Sequence, residues 1–118
     1  GMEAIAKLND CPVSPRKMRL VADSIRGQQV DKALNILKFS QRRQYAIRLE
    51  KVVLSALANW QQLNQDARVE DGNVFVKAVF VDGGRQLKRI RTAPQGRAAR
   101  IRKRSNHITV ILDSKESK

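Results

Sequence analysis

One cysteine, Cys11, and one histidine, His107, are the only thiol and imidazole in this 118-residue sequence. Together they could form a nucleophile and its base. Nothing flanking either residue suggests activation, however, and the two belong to separate strand-like segments. A lone thiol and a lone imidazole are too few for the usual zinc sites. An unpaired cysteine also makes no internal disulfide, which fits a reducing, cytosol-like compartment. Gly83-Gly84 is not followed by the Lys-Ser or Lys-Thr of a phosphate-cradling loop and reads as a turn or bulge. A nuclease or other RNA-processing enzyme would need clustered acids or histidines, which the acid-free residues 83–112 do not supply. The expectation is a protein that is not an enzyme and that uses neither cofactor nor metal.

What remains is positive charge. The formal net charge is +13, which calls for a polyanionic partner. Its distribution is uneven: residues 85–104 hold nine of the 24 basic side chains and no acid. The other 98 residues carry 15 basic and 11 acidic groups, a balance of only +4. The acid-free stretch runs on from 83 to 112. Self-repulsion destabilises such a concentration unless a partner offsets it. Arginine outnumbers lysine seven to two within residues 85–104, which suits bidentate contacts to phosphate and stacking on bases. Lys88, Arg89, Arg91, Arg97, Arg100, Arg102, Lys103 and Arg104 are therefore candidate RNA-binding residues, with His107 at the far end of the segment. A second cluster, Arg16, Lys17 and Arg19, falls in the opening turns of an expected helix, where free amides favour a phosphate. Recognition of RNA shape and backbone, rather than sequence, is the chemistry these residues can do.

The elements that must position these residues follow from periodicity. Glu3-Ala4-Ile5-Ala6-Lys7-Leu8 is compatible with a short strand. Ser14-Pro15 marks a helix start, with Ser14 as cap and Pro15 at the first helical position. Met18, Val21, Ala22 and Ile25 then form one apolar stripe, and Gly27 ends the helix as a left-handed cap. A second helix is expected from near Asp31, carrying Leu34 and Leu37 inward. Ser40 reads as the cap of a third and longest helix, whose seam is Ala46, Leu49, Val53, Ala56, Trp60 and Leu63. Trp60 could stack on a base, but its place on that seam assigns it to the core. After the turn signal Asp71-Gly72-Asn73 the period changes to two. Residues 74–81 and 107–112 read as strands.

Two readings of the intervening segment compete. Asp82-Gly83-Gly84 could close a tight hairpin and leave a disordered basic arm. Alternatively the glycines make a bulge, the strand runs on through Leu87 and Ile90, and Pro94-Gln95-Gly96 forms the turn. The second reading pairs 81–92 with 97–108 and explains why Leu87, Ile90 and Ile101 punctuate the charges. It is preferred. Such a ribbon would reach roughly 35 Å with no core beneath it, so a polyanion must supply its surroundings.

Gly96-Arg97-Ala98-Ala99-Arg100-Ile101-Arg102-Lys103-Arg104-Ser105-Asn106-His107-Ile108-Thr109-Val110 resembles the C-terminal signature of the large-subunit ribosomal protein twenty-two family. Ser14-Pro15-Arg16-Lys17-Met18-Arg19-Leu20-Val21-Ala22 is similar to that family's first helix. Ser55-Ala56-Leu57-Ala58-Asn59 is similar to the end of its long helix, and residues 76–82 to its first hairpin strand. The likeness spans nearly the whole chain in the same order, and the length resembles bacterial or organellar members. It implies a domain on the outer face of the large subunit and a hairpin that threads through ribosomal RNA to line the nascent-peptide exit tunnel. Leu87, Lys88, Arg89, Ile90, Arg91, Thr92, Ala93, Pro94, Gln95, Gly96 and Arg97 would form the tip, which in the family faces a loop of large-subunit protein four near the macrolide site. Thr92 departs from the proline that many members carry there.

The expected fold is α+β: a small antiparallel sheet packed on about three helices, with a long protruding basic β-hairpin. The chain is expected to be a single domain over 1–118. Its globular part covers about 1–82 plus 108–113, the hairpin about 83–107, and a short tail 114–118. Expected partners are large-subunit ribosomal RNA, other large-subunit proteins and the nascent peptide, with no membrane and no stable homo-oligomer. No apolar run approaches the roughly 18 residues that span a bilayer and no secretory signal is visible, so a cytoplasmic, ribosome-bound protein is expected. From composition alone the main competitor is an architectural DNA-binding protein with basic β-arms, which would normally need a dimer.

Overall fold

A computed structural model describes residues 3–64, 73–83, 87–92, 98–103 and 106–114. In chain order the elements are β1 (Ala4–Cys11), α1 (Pro15–Ile25), α2 (Val30–Lys38), α3 (Arg43–Leu63), β2 (Val74–Gly83), β3 (Leu87–Thr92), β4 (Ala98–Lys103) and β5 (Asn106–Ser114). The fold is α+β, with three helices, a three-stranded antiparallel sheet ordered β1-β5-β2, and a two-stranded sheet β3-β4. The last strand, β5, is central. Its residues Asn106, Ile108, Val110 and Leu112 face the helices and are fully buried. The alternate residues, among them His107 and Thr109, lie on the other side and are half-buried. That alternation is the period-two pattern of a sheet with one covered face.

The expected stripe of α1 is present: Met18, Val21, Ala22 and Ile25 are all buried. Gly27 follows at φ +80°, the left-handed conformation expected of it. That turn sets the chain against the edge of β2. The Gly27 amide donates to the Val76 carbonyl at 2.8 Å, and the Val76 amide donates to the Gln28 carbonyl at 2.8 Å. Ser14 occupies the cap position with extended backbone, but its side chain makes no capping hydrogen bond.

In α2, which begins one residue before Asp31, Leu37 is fully buried and Leu34 half-buried, while Val30 and Ala33 complete the inward face. Along α3, Ala46, Leu49, Val53, Ala56 and Trp60 are buried as the seam requires. Each fully buried large aliphatic or aromatic side chain contributes about 1.5–3 kcal/mol through its loss of water contact. Trp60 is core, 1% exposed.

Two details of α3 correct the sequence reading. Leu63, the last residue of the helix, is 50% exposed and does not continue the buried seam. Ser40 is not the cap, since α3 begins at Arg43 with Arg42 in that position. The Ser40 hydroxyl instead accepts the Arg42 amide at 3.2 Å, and the Arg43 guanidinium donates to the Leu37 and Lys38 carbonyls at 3.1 and 2.7 Å. The linker thus satisfies the free carbonyls ending α2 rather than the free amides opening α3.

β1 continues past Leu8 to Cys11, with an irregularity between those residues in its pairing with β5. β2 pairs with β5 through Gly83↔Asn106, with a bulge between Val76 and Ala78. This pairing excludes a tight hairpin at Asp82-Gly83-Gly84, because β2's partner is the distant β5. Asn73, at φ +47°, bears out a turn just ahead of β2; Asp71 and Gly72 lie outside the described residues. Asn106 is the one buried polar side chain among the described residues. Its amide donates to the Val13 carbonyl and ties the loop before α1 to the start of β5.

Two stability outcomes follow. A Cβ built on Gly27 meets nothing within 4 Å, so Gly27→Ala carries only the conformational cost of positive φ. Urea unfolding should show a loss of about 1 kcal/mol, smaller for Gly27→Asn. Asn106→Ala leaves the Val13 carbonyl buried without its donor and should cost about 1–3 kcal/mol by the same measurement; a loss below about 0.5 kcal/mol would show that the tie contributes little.

Candidate nucleic-acid interface

Beyond Gly83↔Asn106 the two arms continue as β3 and β4, paired from Leu87↔Lys103 to Thr92↔Ala98. Three residues separate the last rung of one sheet from the first rung of the other on the β2–β3 arm, and two on the β4–β5 arm. The sequence reading of a continued ribbon therefore holds for 87–92 and 98–103. Its proposed turn, Pro94-Gln95-Gly96, lies outside the described residues, as do Ala93, Arg97, Arg104 and the glycine at 84.

The register distributes the basic residues. Lys88 stands opposite Arg102, Arg89 opposite Ile101, Ile90 opposite Arg100, and Arg91 opposite Ala99. In a ribbon, directly opposed positions and every second residue along each strand share a face. One such set holds positions 89, 91 and 103, and the other 88, 100 and 102, so each set has three of the six basic residues. The pairing of Lys88 with Arg102 is a direct like-charge opposition, which is unfavourable without an anion. β3 and β4 pair with each other and with no third strand among the described residues. The radius of gyration, 17.7 Å, exceeds the roughly 13.5 Å of a compact chain this long.

The α1 cluster sits at the root of this ribbon. Arg16 and Lys17 are exposed in the first turn of α1. Arg19 reaches across to β2, its Nε donating to the Val81 carbonyl at 3.1 Å. One helical heptad on, the Arg26 guanidinium donates to the Val79 carbonyl at 2.8 Å and to the Asp23 carboxylate at 2.5 Å. These arginines cover the outer edge of β2, whose carbonyls would otherwise be open to another strand. Val81 pairs with Ile108, and Asp82 with His107. The structure therefore brings Arg19 and His107 to the same end of the sheet, where the ribbon begins. The sequence marks Arg19 only as a cation for phosphate. Its partner Val81 lies 62 residues away in the chain, so no local signal reveals its structural bond.

A further group of cations was missed in the sequence. Lys7, Arg48 and Lys51 rim a cleft of 370 Å³ between β1 and α3, together with Leu8, Pro12 and Val52. Arg48 and Lys51 are three apart on α3, a spacing that could have revealed their shared face; Lys7 joins them only through the packing of β1. Cys11 also lines this cleft, but it is 1% exposed, and burial pushes its thiol above the ordinary range. Its register partner Asn106 faces the core, whereas His107 lies on the opposite side of the sheet. The two residues therefore do not form a nucleophile–base pair. Among the described residues no cluster of histidine, cysteine or carboxylates could hold a metal ion. Nor, among them, is any helix long and apolar enough to cross a membrane.

Comparison with known proteins bears on the whole chain. The family model for ribosomal protein L22p/L17e matches residues 6–113. The large ribosomal subunit protein uL22 of Flavobacterium psychrophilum is 62% identical over 94% of this chain and 80% of its own length. The protein of that name from Christiangramia forsetii is 62% identical over 92% of this chain and 80% of its own. That of Bacteroides fragilis is 58% identical over 95% and 81%. A helical body with a basic two-stranded extension, matched to these relatives over almost all its length, places the chain in the ribosomal protein L22p/L17e family, whose members are structural constituents of the large ribosomal subunit and not enzymes.

Proposed function

We propose that this chain binds large-subunit ribosomal RNA through the β3–β4 ribbon and the Arg16, Lys17 and Arg19 cluster at its root. In this reading the ribbon passes between RNA segments and aids subunit assembly. Residues 87–97 line the nascent-peptide exit tunnel near the macrolide site. The observation that carries it is the even division of the six basic residues on the described rungs between the two alternating sets of the ribbon. A protein lying on one RNA surface needs cations on one side. A ribbon enclosed by phosphates needs them on both. The family's printed description and relatives support the ribosomal setting. Neighbouring large-subunit proteins and the nascent chain are the further partners this reading implies.

Binding to a large-subunit RNA transcript should weaken steeply with salt, because each neutralised phosphate releases counterions. Replacing Arg97, Arg100 and Arg104 together by alanine should reduce the slope of log K against log salt by about two to three. An unchanged slope, or preference for duplex DNA over the transcript at equal salt, contradicts the proposal. For the tip, a photoreactive residue at Gln95 in assembled ribosomes should crosslink to the nascent chain or to tunnel RNA. Adducts only with proteins on the subunit surface would remove the tunnel assignment.

A further inference from the structure

Between α2 and α3 the chain presents a phenylalanine outward. Phe39 is 78% exposed, well beyond Leu20 at 54% or Phe80 at 51%. A solitary exposed apolar side chain is ordinary, but the setting of this one is not. The inward face of α2 is already filled by Val30, Ala33 and Leu37, so the position two residues past Leu37 leaves the core. The turn that carries the ring is held from several directions. The Phe39 amide donates to the Asn35 carbonyl at 3.1 Å, and the Ser40 amide to the Leu37 carbonyl at 3.3 Å. The Ser40 hydroxyl accepts the Arg42 amide, and the Arg43 guanidinium clamps the Leu37 and Lys38 carbonyls. The ring is therefore mounted on ordered backbone, and little further ordering is needed when a partner meets it.

Its company is cationic. Lys38 Nζ lies 5.9 Å from the ring centroid. The run Lys38-Phe39-Ser40-Gln41-Arg42-Arg43 has three cations and no acid. An aromatic face open to solvent beside cations that can meet phosphate is the combination that binds unpaired nucleotides. The base stacks on the ring while the flanking backbone is neutralised. An apolar protein pocket gives no reason for Lys38 at the ring, or for Arg42 three residues on, beside its anchor.

We propose that Phe39 is a stacking platform for an unpaired base of the RNA this chain binds, with Lys38 and Arg42 meeting the adjoining phosphates. The inference rests on the RNA-binding reading above and adds a contact remote in sequence from the ribbon.

The test compares the full chain with Phe39→Tyr, Phe39→Trp, Phe39→Leu and Phe39→Ala for binding to a large-subunit RNA transcript at one salt concentration. Phe39→Ala should weaken binding about 5- to 140-fold, and Phe39→Leu nearly as much, because leucine has no π face. The tyrosine and tryptophan variants should stay within about twofold of the parent. Thermal unfolding should be unchanged in all four. The salt slope should be unchanged in Phe39→Ala but reduced by about one in Arg42→Ala. Leucine binding as well as phenylalanine, or alanine costing less than about twofold, overturns the platform while leaving RNA binding by the ribbon intact. Normal transcript binding by Phe39→Ala combined with poor incorporation into the subunit would assign the ring to a protein neighbour and likewise overturn it. If the parent chain fails to bind the transcript, both readings fall together.

Discussion

A two-stranded ribbon has two faces and no interior, and this constrains everything else in the molecule. Its backbone groups satisfy one another across the pair, and no third strand joins β3 and β4 among the described residues. The six rungs from Leu87↔Lys103 to Thr92↔Ala98 place six basic residues in that situation. Opposed residues on a ribbon stand about 5 Å apart, inside the roughly 8 Å over which physiological salt screens charge. Mobile counterions therefore only partly relieve the repulsion. A fixed array of phosphates relieves it much further, and whatever binds the ordered ribbon stabilises that form by mass action. Order in the arm and occupancy of its partner are linked quantities.

The body is arranged to hold the root of that arm. β5, which returns from the ribbon, is the central strand, flanked by β1 and β2 and backed by α3. Its first residue, Asn106, is tied to the loop before α1. Arg19 and Arg26 grip the outer edge of β2 through the Val81 and Val79 carbonyls. Both arms thus enter the ribbon from strands fixed on either side. The same arginines occupy hydrogen-bonding positions that an exposed edge strand would offer to another chain. A ribosomal protein that must remain unaggregated before it joins the subunit has reason to close that edge.

Much of this was legible in the sequence, for identifiable reasons. The stripe Met18, Val21, Ala22 and Ile25, the glycine that ends it, and the α3 seam through Trp60 are local repeats, and helical geometry alone converts them into buried faces. The change of period after Asn73 located β2 in the same way. The charge asymmetry needed no structure at all. Where local reasoning failed, a distant or competing contact had taken the group concerned. Ser40 has the right chemistry for a cap, but Arg43 turns back to the end of α2 and delays the next helix. Leu63 keeps the seam's spacing but stands at the helix end and is half exposed.

The sequence by itself determined the kinds of element, their order, the inward faces of the helices and the place where positive charge accumulates. These depend on periodicity and composition, which are properties of neighbouring residues. Only the tertiary structure decided that the last strand lies between the first and the second, that Arg19 answers to Val81, that Asn106 holds Val13, and that Cys11 and His107 occupy opposite sides of one sheet. Each of these joins residues far apart in the chain. Such partners are selected by which burial and hydrogen-bonding arrangement satisfies the whole molecule at once, and no short window of sequence contains that information.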